Sequence, residues 1–215
     1  MKNKFDLIIF DWDGTLINSI DWIASCLQYA AAQCNRPIPE YQTTKNVIGL
    51  SIKKAMQALF PEVDEQIHQQ LVACYSQKYF SKKISQDDLF PGVYEMLVQL
   101  KETGYQLAVA TGKTRAGLQE ALQATGTEAL FCITRCADET ASKPDPRMLH
   151  EIIQHTKTAK ERALMVGDSI HDLQMALNAP ISAIAVSCGA HSAEVLQQYN
   201  PLLCLQQPTE LLNII

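Results

Sequence analysis

Phe5-Asp6-Leu7-Ile8-Ile9-Phe10-Asp11-Trp12-Asp13-Gly14-Thr15-Leu16 decides how the rest of this 215-residue chain is read. The run from Phe5 to Phe10 is apolar apart from Asp6, the pattern of a strand covered on both faces, and it stops at a carboxylate. Three similar runs follow. Gln106 to Ala110 ends at Thr111-Gly112, Ala163 to Val166 ends at Gly167-Asp168, and Ile181 to Val186 comes last. Between them apolar residues recur with helical spacing: Val93, Leu97 and Leu100; Leu118 and Leu122; Leu149, Ile152 and Ile153.

Strands that alternate with helices predict an α/β fold with a doubly wound, Rossmann-like parallel sheet. Ligands bind such sheets at the carboxyl ends of the strands, where Asp11, Thr111 and Asp168 all fall. From Leu16 to about Asp87 strand signals give way to helical ones, with Ile20, Ile23, Ala24 and Leu27 on one face and Ile67, Leu71 and Cys74 on another. Residues 16–87 are therefore expected as a helical insertion, and residues 1–15 plus 88–215 as the α/β core. Asn35 to Pro39 and Phe60-Pro61 divide the insertion into several helices. Re-entry falls at Asp88 to Gly92, with Pro91 expected in the first turn of the next helix.

Bulk properties exclude several classes. A 47% hydrophobic and 19% charged composition is that of a folding chain rather than a disordered one. A net charge of -5 without a basic patch argues against nucleic acid or a membrane surface as partner. The apolar runs are far shorter than a membrane helix requires, and Met1-Lys2-Asn3-Lys4 leads into a strand without the apolar core of a secretory signal, so a cytoplasmic protein is expected. Seven scattered cysteines lack paired metal-ligand spacing and are expected to be reduced and mostly buried, with Cys132 and Cys136 flanking a strand end.

Asp11 and Asp13 at a strand end are not explained by sheet packing. In a continuing strand they would share a face and repel, unless a divalent cation or a division into nucleophile and proton donor separates their roles. Gly14 then permits a sharp turn and close backbone approach to a ligand. The same letters occur in ordinary turns and calcium loops. The calcium-loop spacing is not continued between Asn18 and Asp21, however, and a strand rather than a helix comes first.

Asp11 to Leu16, Thr111, Lys143 within Ser142-Lys143-Pro144-Asp145-Pro146, and Gly167-Asp168-Ser169-Ile170-His171-Asp172 resemble, in order, the four motifs of the haloacid dehalogenase-like superfamily. The insertion is similar to its small helical cap. This resemblance implies that Asp11 attacks phosphorus and that Asp13 protonates the leaving oxygen and later activates water. Thr111 and the Gly112 backbone would hold the phosphoryl group, and Lys143 would balance charge. It further implies Mg2+ held by Asp11, Asp13 and Asp168, with Asp172 a further ligand or an orienting group. Dehalogenase members lack the second acid of the first motif, and phosphonate-cleaving members carry a small apolar residue there, so Asp13 points to a phosphatase acting on a small phosphorylated metabolite. A sugar phosphomutase and a non-catalytic module that binds a phosphorylated ligand are the alternatives. Monomer and dimer are both compatible with this reading.

Val47-Ile48-Gly49-Leu50-Ser51 resembles the loop that phosphoglycolate phosphatase-like relatives direct into the site. Gly49 and Lys53 are accordingly expected to contact substrate of the phosphoglycolate or sugar phosphate type, a solvated helix face being the alternative for Lys53 and Lys54. Relatives often carry asparagine after the second-motif Thr or Ser, whereas Gly112-Lys113 follows here. Lys113 and Arg115 either substitute for that contact or lie exposed at a helix start, and His171 either approaches the metal or faces solvent.

Overall fold

The computed structural model describes residues 4–215. Met1 to Asn3, the start of the stretch read above as lacking a secretory signal, lie outside the described residues. Six parallel strands form one sheet in the order β3-β2-β1-β4-β5-β6. They are β1 (Leu7–Phe10), β2 (Gln106–Thr111), β3 (Ile133–Cys136), β4 (Ala163–Gly167), β5 (Ser182–Val186) and β6 (Cys204–Leu205). The alternation of side chains along each strand divides the core into two layers. Ile8, Phe10, Leu107, Val109, Leu164 and Val166 pack on one face, and Leu7, Ile9, Ala108, Ala110, Ala163 and Met165 on the other. Leu7, Ile8, Ile9 and Phe10 are each fully buried, and at about 1.5–3 kcal/mol per large apolar side chain they anchor the centre of the sheet.

The helices that cover the sheet are α5 (Val93–Glu102), α6 (Arg115–Thr125), α7 (Arg147–Thr156), α8 (Ile170–Asn178) and α9 (Ala193–Gln197). The chain leaves β1 toward β2 and β3 on one side, then crosses to β4 on the other. The direction thus reverses between β1 and β4, the place where ligands bind in sheets of this order.

Between β1 and α5 lie α1 (Ile20–Gln33), α2 (Tyr41–Lys45), α3 (Ile52–Leu59) and α4 (Glu65–Tyr79), which enclose an apolar cluster of their own. Ile20, Ile23, Ala24, Leu27 and Leu71 are buried as the helical spacing predicts, while Ile67 and Cys74 are half-buried. Among the described residues no helix is long and apolar enough to cross a membrane.

Several expectations need correction. Pro91 is not in the first turn of α5. It precedes Gly92 in a tight turn, closed by Val93 N donating to Phe90 O at 3.1 Å, in which Gly92 adopts φ 78°. Proline followed by a residue at positive φ suits a type II turn, and the helix starts only after it. The cysteines are not mostly buried: of the seven, Cys26 and Cys136 are buried and Cys132 is exposed, with the other four between. Cys34 and Cys74 bring their sulfurs to 3.8 Å across α1 and α4. Finally, β3 and β6 were not among the four expected strands. β3 carries two half-exposed polar residues at the sheet edge, and β6 has two residues, so neither shows a continuous apolar run.

Candidate active site

Pairing of β1 with β4 aligns Phe10 with Val166, and Asp11 N donates to Val166 O at 2.9 Å, which brings Asp11 to the reversal point beside Gly167 and Asp168. The chain then turns at Gly14, whose φ of 80° suits glycine. A Cβ on Gly14 would lie 2.3 Å from Asp168 Oδ2, and one on Gly189 would lie 2.1 Å from the same atom, so Asp168 is walled by two glycines. Thr15 Oγ1 donates to Asp168 Oδ1 and Ala190 N donates to Oδ2, each at 2.7 Å. Burial above all, and then the neighbouring Asp172, push the Asp168 pKa from 3.8 up to about 7 against these two donors.

Lys143 enters from the loop before α7 and is wholly buried. Its ammonium lies 2.6 Å from Asp11 Oδ1 and 2.6 Å from Asp172 Oδ1. Burial works against this charge, but the two carboxylates outweigh it and raise the lysine's pKa. Asp172 is fixed by the start of α8, where Ser169 N and Oγ donate to its Oδ2 at 3.1 and 2.6 Å, a capping box turned toward the site. Burial pushes the Asp11 carboxyl well above the ordinary range, only partly offset by Lys143.

Asp11, Asp168 and Asp172 form a buried group whose oxygens come within 4.8 Å of one another. Three carboxylates against a single buried ammonium leave an excess of negative charge that a low-dielectric site does not tolerate unaided. Asp11 Oδ1, despite its ion pair, accepts no well-aligned hydrogen bond. An all-oxygen donor set with surplus negative charge fits a hard divalent cation such as Mg2+.

Asp13 sits across the same opening. Its Oδ1 accepts from Ser19 Oγ at 2.7 Å and lies 3.1 Å from Lys113 Nζ. Lys113 also donates to the Tyr79 hydroxyl at the end of α4 and lies over the Tyr79 ring, 4.6 Å from its centroid. Thr111, buried at the end of β2, accepts from Lys113 N at 3.2 Å through its hydroxyl oxygen, which leaves the hydroxyl hydrogen free to donate into the cleft. Gly112 is needed for a different reason: a Cβ there would lie 2.5 Å from both Gly49 O and Leu50 O, so the loop from the insertion rests directly on it. Gly49, at φ 101°, in turn approaches Ser169. Ser51 N donates to Ser142 Oγ at 2.8 Å, and His171 Nε2 lies 2.9 Å from Asn46 O. The insertion thus closes over the strand ends through several polar contacts.

The structure brings Asp11, Asp13, Thr111, Gly112, Lys143, Asp168, Asp172 and Gly49 together, but not Lys53. Lys53 Nζ pairs with Glu65 at 2.8 Å on the outer surface, with 62% of its side chain exposed, because its position on α3 faces α4's start rather than the cleft. Of the two residues offered as substitutes after Thr111, Lys113 is buried in the site, whereas Arg115 binds Glu139 and Thr134 along the core. His171 contacts the insertion instead of solvent alone. Thr15 lies inside the first motif without a role assigned to it there, and Ser19, Tyr79 and Ala190 were not singled out from the sequence. They carry no distinctive spacing, and only the fold makes them neighbours of the carboxylates.

A family model described as haloacid dehalogenase-like hydrolase matches residues 8–186. The chain belongs to this family. It is a hydrolase of the family, with the α/β core expected of it. Among curated relatives, the Dickeya dadantii protein named "Probable phosphatase IndB" is 33% identical over 211 residues, covering 96% of this chain and 92% of that protein. "Pyrophosphatase PpaX" of Listeria innocua is 28% identical over 219 residues, covering 100% and 98%. A Haemophilus somnus crystal structure titled as a predicted phosphoglycolate phosphatase superposes with a TM-score of 0.86 at 25% identity, covering 100% of this chain and 99% of that one.

Proposed function

We propose that this hydrolase is a magnesium-dependent phosphatase of small phosphorylated metabolites that works through a phosphorylated Asp11. The observation that carries the reading is the buried ion pair of Asp11 with Lys143 at 2.6 Å, beside Asp168 and Asp172, at a cavity whose opposite edge is Asp13. A lysine so held keeps a buried carboxylate in place as a nucleophile and offsets its charge.

An Asp11 oxygen attacks phosphorus while the bond from phosphorus to the ester oxygen breaks, and that oxygen takes a proton from Asp13. The product alcohol leaves, and the phosphoryl group remains on Asp11. Asp13 then removes a proton from water as the water attacks phosphorus, which releases phosphate and restores the Asp11 carboxylate. Thr111 and the Gly112 N–H hold the phosphoryl oxygens. Asp11, the Asp13 carbonyl and Asp168 would hold Mg2+, which when bound supplies positive charge to the phosphoryl oxygens. Asp172 fixes Lys143 and adds to the charge that favours the ion. In this reading residues 1–15 and 88–215 are the catalytic core and 16–87 the cap, with hinges at 15–19 and 83–89.

The relatives' names point to pyrophosphate and phosphoglycolate as substrates, and the sequence pattern adds sugar phosphates to this class. Incubation with a phosphomonoester and Mg2+, followed by acid quenching, should leave phosphate on Asp11 that hydroxylamine removes. Absence of that adduct during measurable turnover sinks the mechanism. Isomerisation of a sugar phosphate without release of phosphate would favour the mutase reading instead.

A further inference from the structure

The cavity between core and insertion has two unlike ends. At its floor are Asp11, Asp13, Thr111 and Lys113. Its roof includes Leu27, Val47, Leu50, Ile52, Tyr75 and Phe80, all from the insertion or its edge. The cavity, partly open to solvent, has a volume of about 90 Å3, on the scale of a small leaving group.

Few polar groups reach into that upper end. Lys113 is the single cation on the lining, and its ammonium is already shared between Asp13 Oδ1 and the Tyr79 hydroxyl. Ser76 Oγ donates to Val72 O at 2.8 Å within its own helix. Lys53 and Lys54 do not line the cavity. The aromatic residues instead form a continuous surface: Tyr75 and Tyr79 stack with centroids 5.7 Å apart and planes 18° off parallel, and Phe80 meets Tyr79 edge-on at 5.4 Å. Tyr75 adds one hydroxyl and Thr114 another, whose oxygen already accepts from Gly117 N at 3.3 Å, so few polar substituents find a partner.

We infer that the substrate's leaving group is a small apolar alcohol, preferably aromatic, which packs against this wall while the phosphate meets the carboxylates and lysines below. The inference rests on the phosphatase reading and departs from the substrates that the relatives' names suggest. A glycolate carboxylate, a sugar's hydroxyls or a second phosphate would lose water at the upper end for few partners, whereas a ring gains contact area and edge or face packing.

The test compares benzyl phosphate with glycerol phosphate, phosphoglycolate and pyrophosphate under Mg2+. The first two leave alcohols of comparable intrinsic reactivity. Wild-type kcat/KM for benzyl phosphate should exceed each of the others by about tenfold or more, the scale on which a pocket discriminates by mismatch of polarity. In parallel, calorimetry on the Asp11→Asn variant compares benzylphosphonate with 3-phosphonopropionate, which reads pocket preference without turnover. Turnover that favours phosphoglycolate, glycerol phosphate or pyrophosphate overturns the inference and leaves the phosphatase reading intact. Preferred binding of benzylphosphonate without hydrolysis of any substrate overturns the phosphatase reading and with it the leaving group, and keeps only the cavity's preference for a ring; equal or reversed binding without hydrolysis overturns that preference too.

Discussion

The core's strand ends and the insertion's inner face meet at one cavity, yet they are built from opposite materials. The core contributes Asp11, Lys143, Asp168 and Asp172, all but sealed from solvent and locked by short contacts. The insertion contributes mainly hydrocarbon and rings to the cavity, and keeps charges such as Lys53 and Glu65 on its outside. A rigid sheet can hold several charges to within a few tenths of an ångström. A helical layer resting on glycine and a few polar contacts can vary its wall without disturbing them. In the proposed reading, chemistry and selectivity fall on separate parts of the chain.

The sharpest way to break this division is to remove charge from the core. Asp11→Asn should lower kcat by about 10^3-fold or more, since the proposed nucleophile is lost, and steady-state phosphate release under Mg2+ measures it. Activity within tenfold of wild type would move the nucleophile elsewhere. Next in size, Lys143→Met leaves Asp11 and Asp172 buried without their counter-charge, and should cost about 3–5 kcal/mol in urea unfolding of the metal-free protein, with Mg2+ recovering part of it.

Burial of this cluster, and then the closeness of its carboxylates, gives a pH dependence. Asp168 binds its proton more tightly folded than unfolded, because its pKa rises from 3.8 to about 7. The resulting destabilisation is absent below pH 3.8, grows as pH climbs toward 7 and is constant above. Chelated protein should therefore lose stability over that window by this group, and Mg2+ should flatten the curve. Equal slopes with and without Mg2+ would separate Asp168 from the metal.

Smaller effects sharpen the insertion's side of the comparison. Gly112→Ala places a methyl 2.5 Å from two insertion carbonyls, and should lower kcat/KM by about 10–100-fold through displacement of that layer, with a lowered melting temperature beside it. Lys53→Ala removes a solvent-exposed ion pair and should leave both kinetics and melting temperature unchanged, whatever the substrate. A raised KM in that variant would bring Lys53 back to the cleft.

What could be read in the residues follows from how local the signal is. β1 and β4 announce themselves because burial on both faces demands a continuous apolar run, and Asp11 and Asp168 stand out because a carboxylate ending such a run has no packing role. β3 did not stand out as a strand, since an edge strand tolerates Thr134 and Arg135. Lys113 stayed ambiguous for a different reason: its burial depends on Tyr79, which arrives from α4 34 residues earlier. Lys53 misled because a helix next to a substrate loop has two faces, and the sequence near it does not say which one Glu65 will claim. Ser19 and Thr15 are common residue types whose roles exist only after folding.

Because the sheet reverses direction between β1 and β4, the two halves of the carboxylate cluster are far apart in the order of synthesis. Thr15 bonds to a residue 153 positions later, and Lys143 completes its ion pairs only when Asp172 has been made. The insertion, with its own apolar cluster between β1 and β2, is available long before that. A growing chain would carry Asp11 and the insertion's apolar wall from early on and yet stay chemically silent, since Asp168 gains its last contacts only once Gly189 and Ala190 have been added.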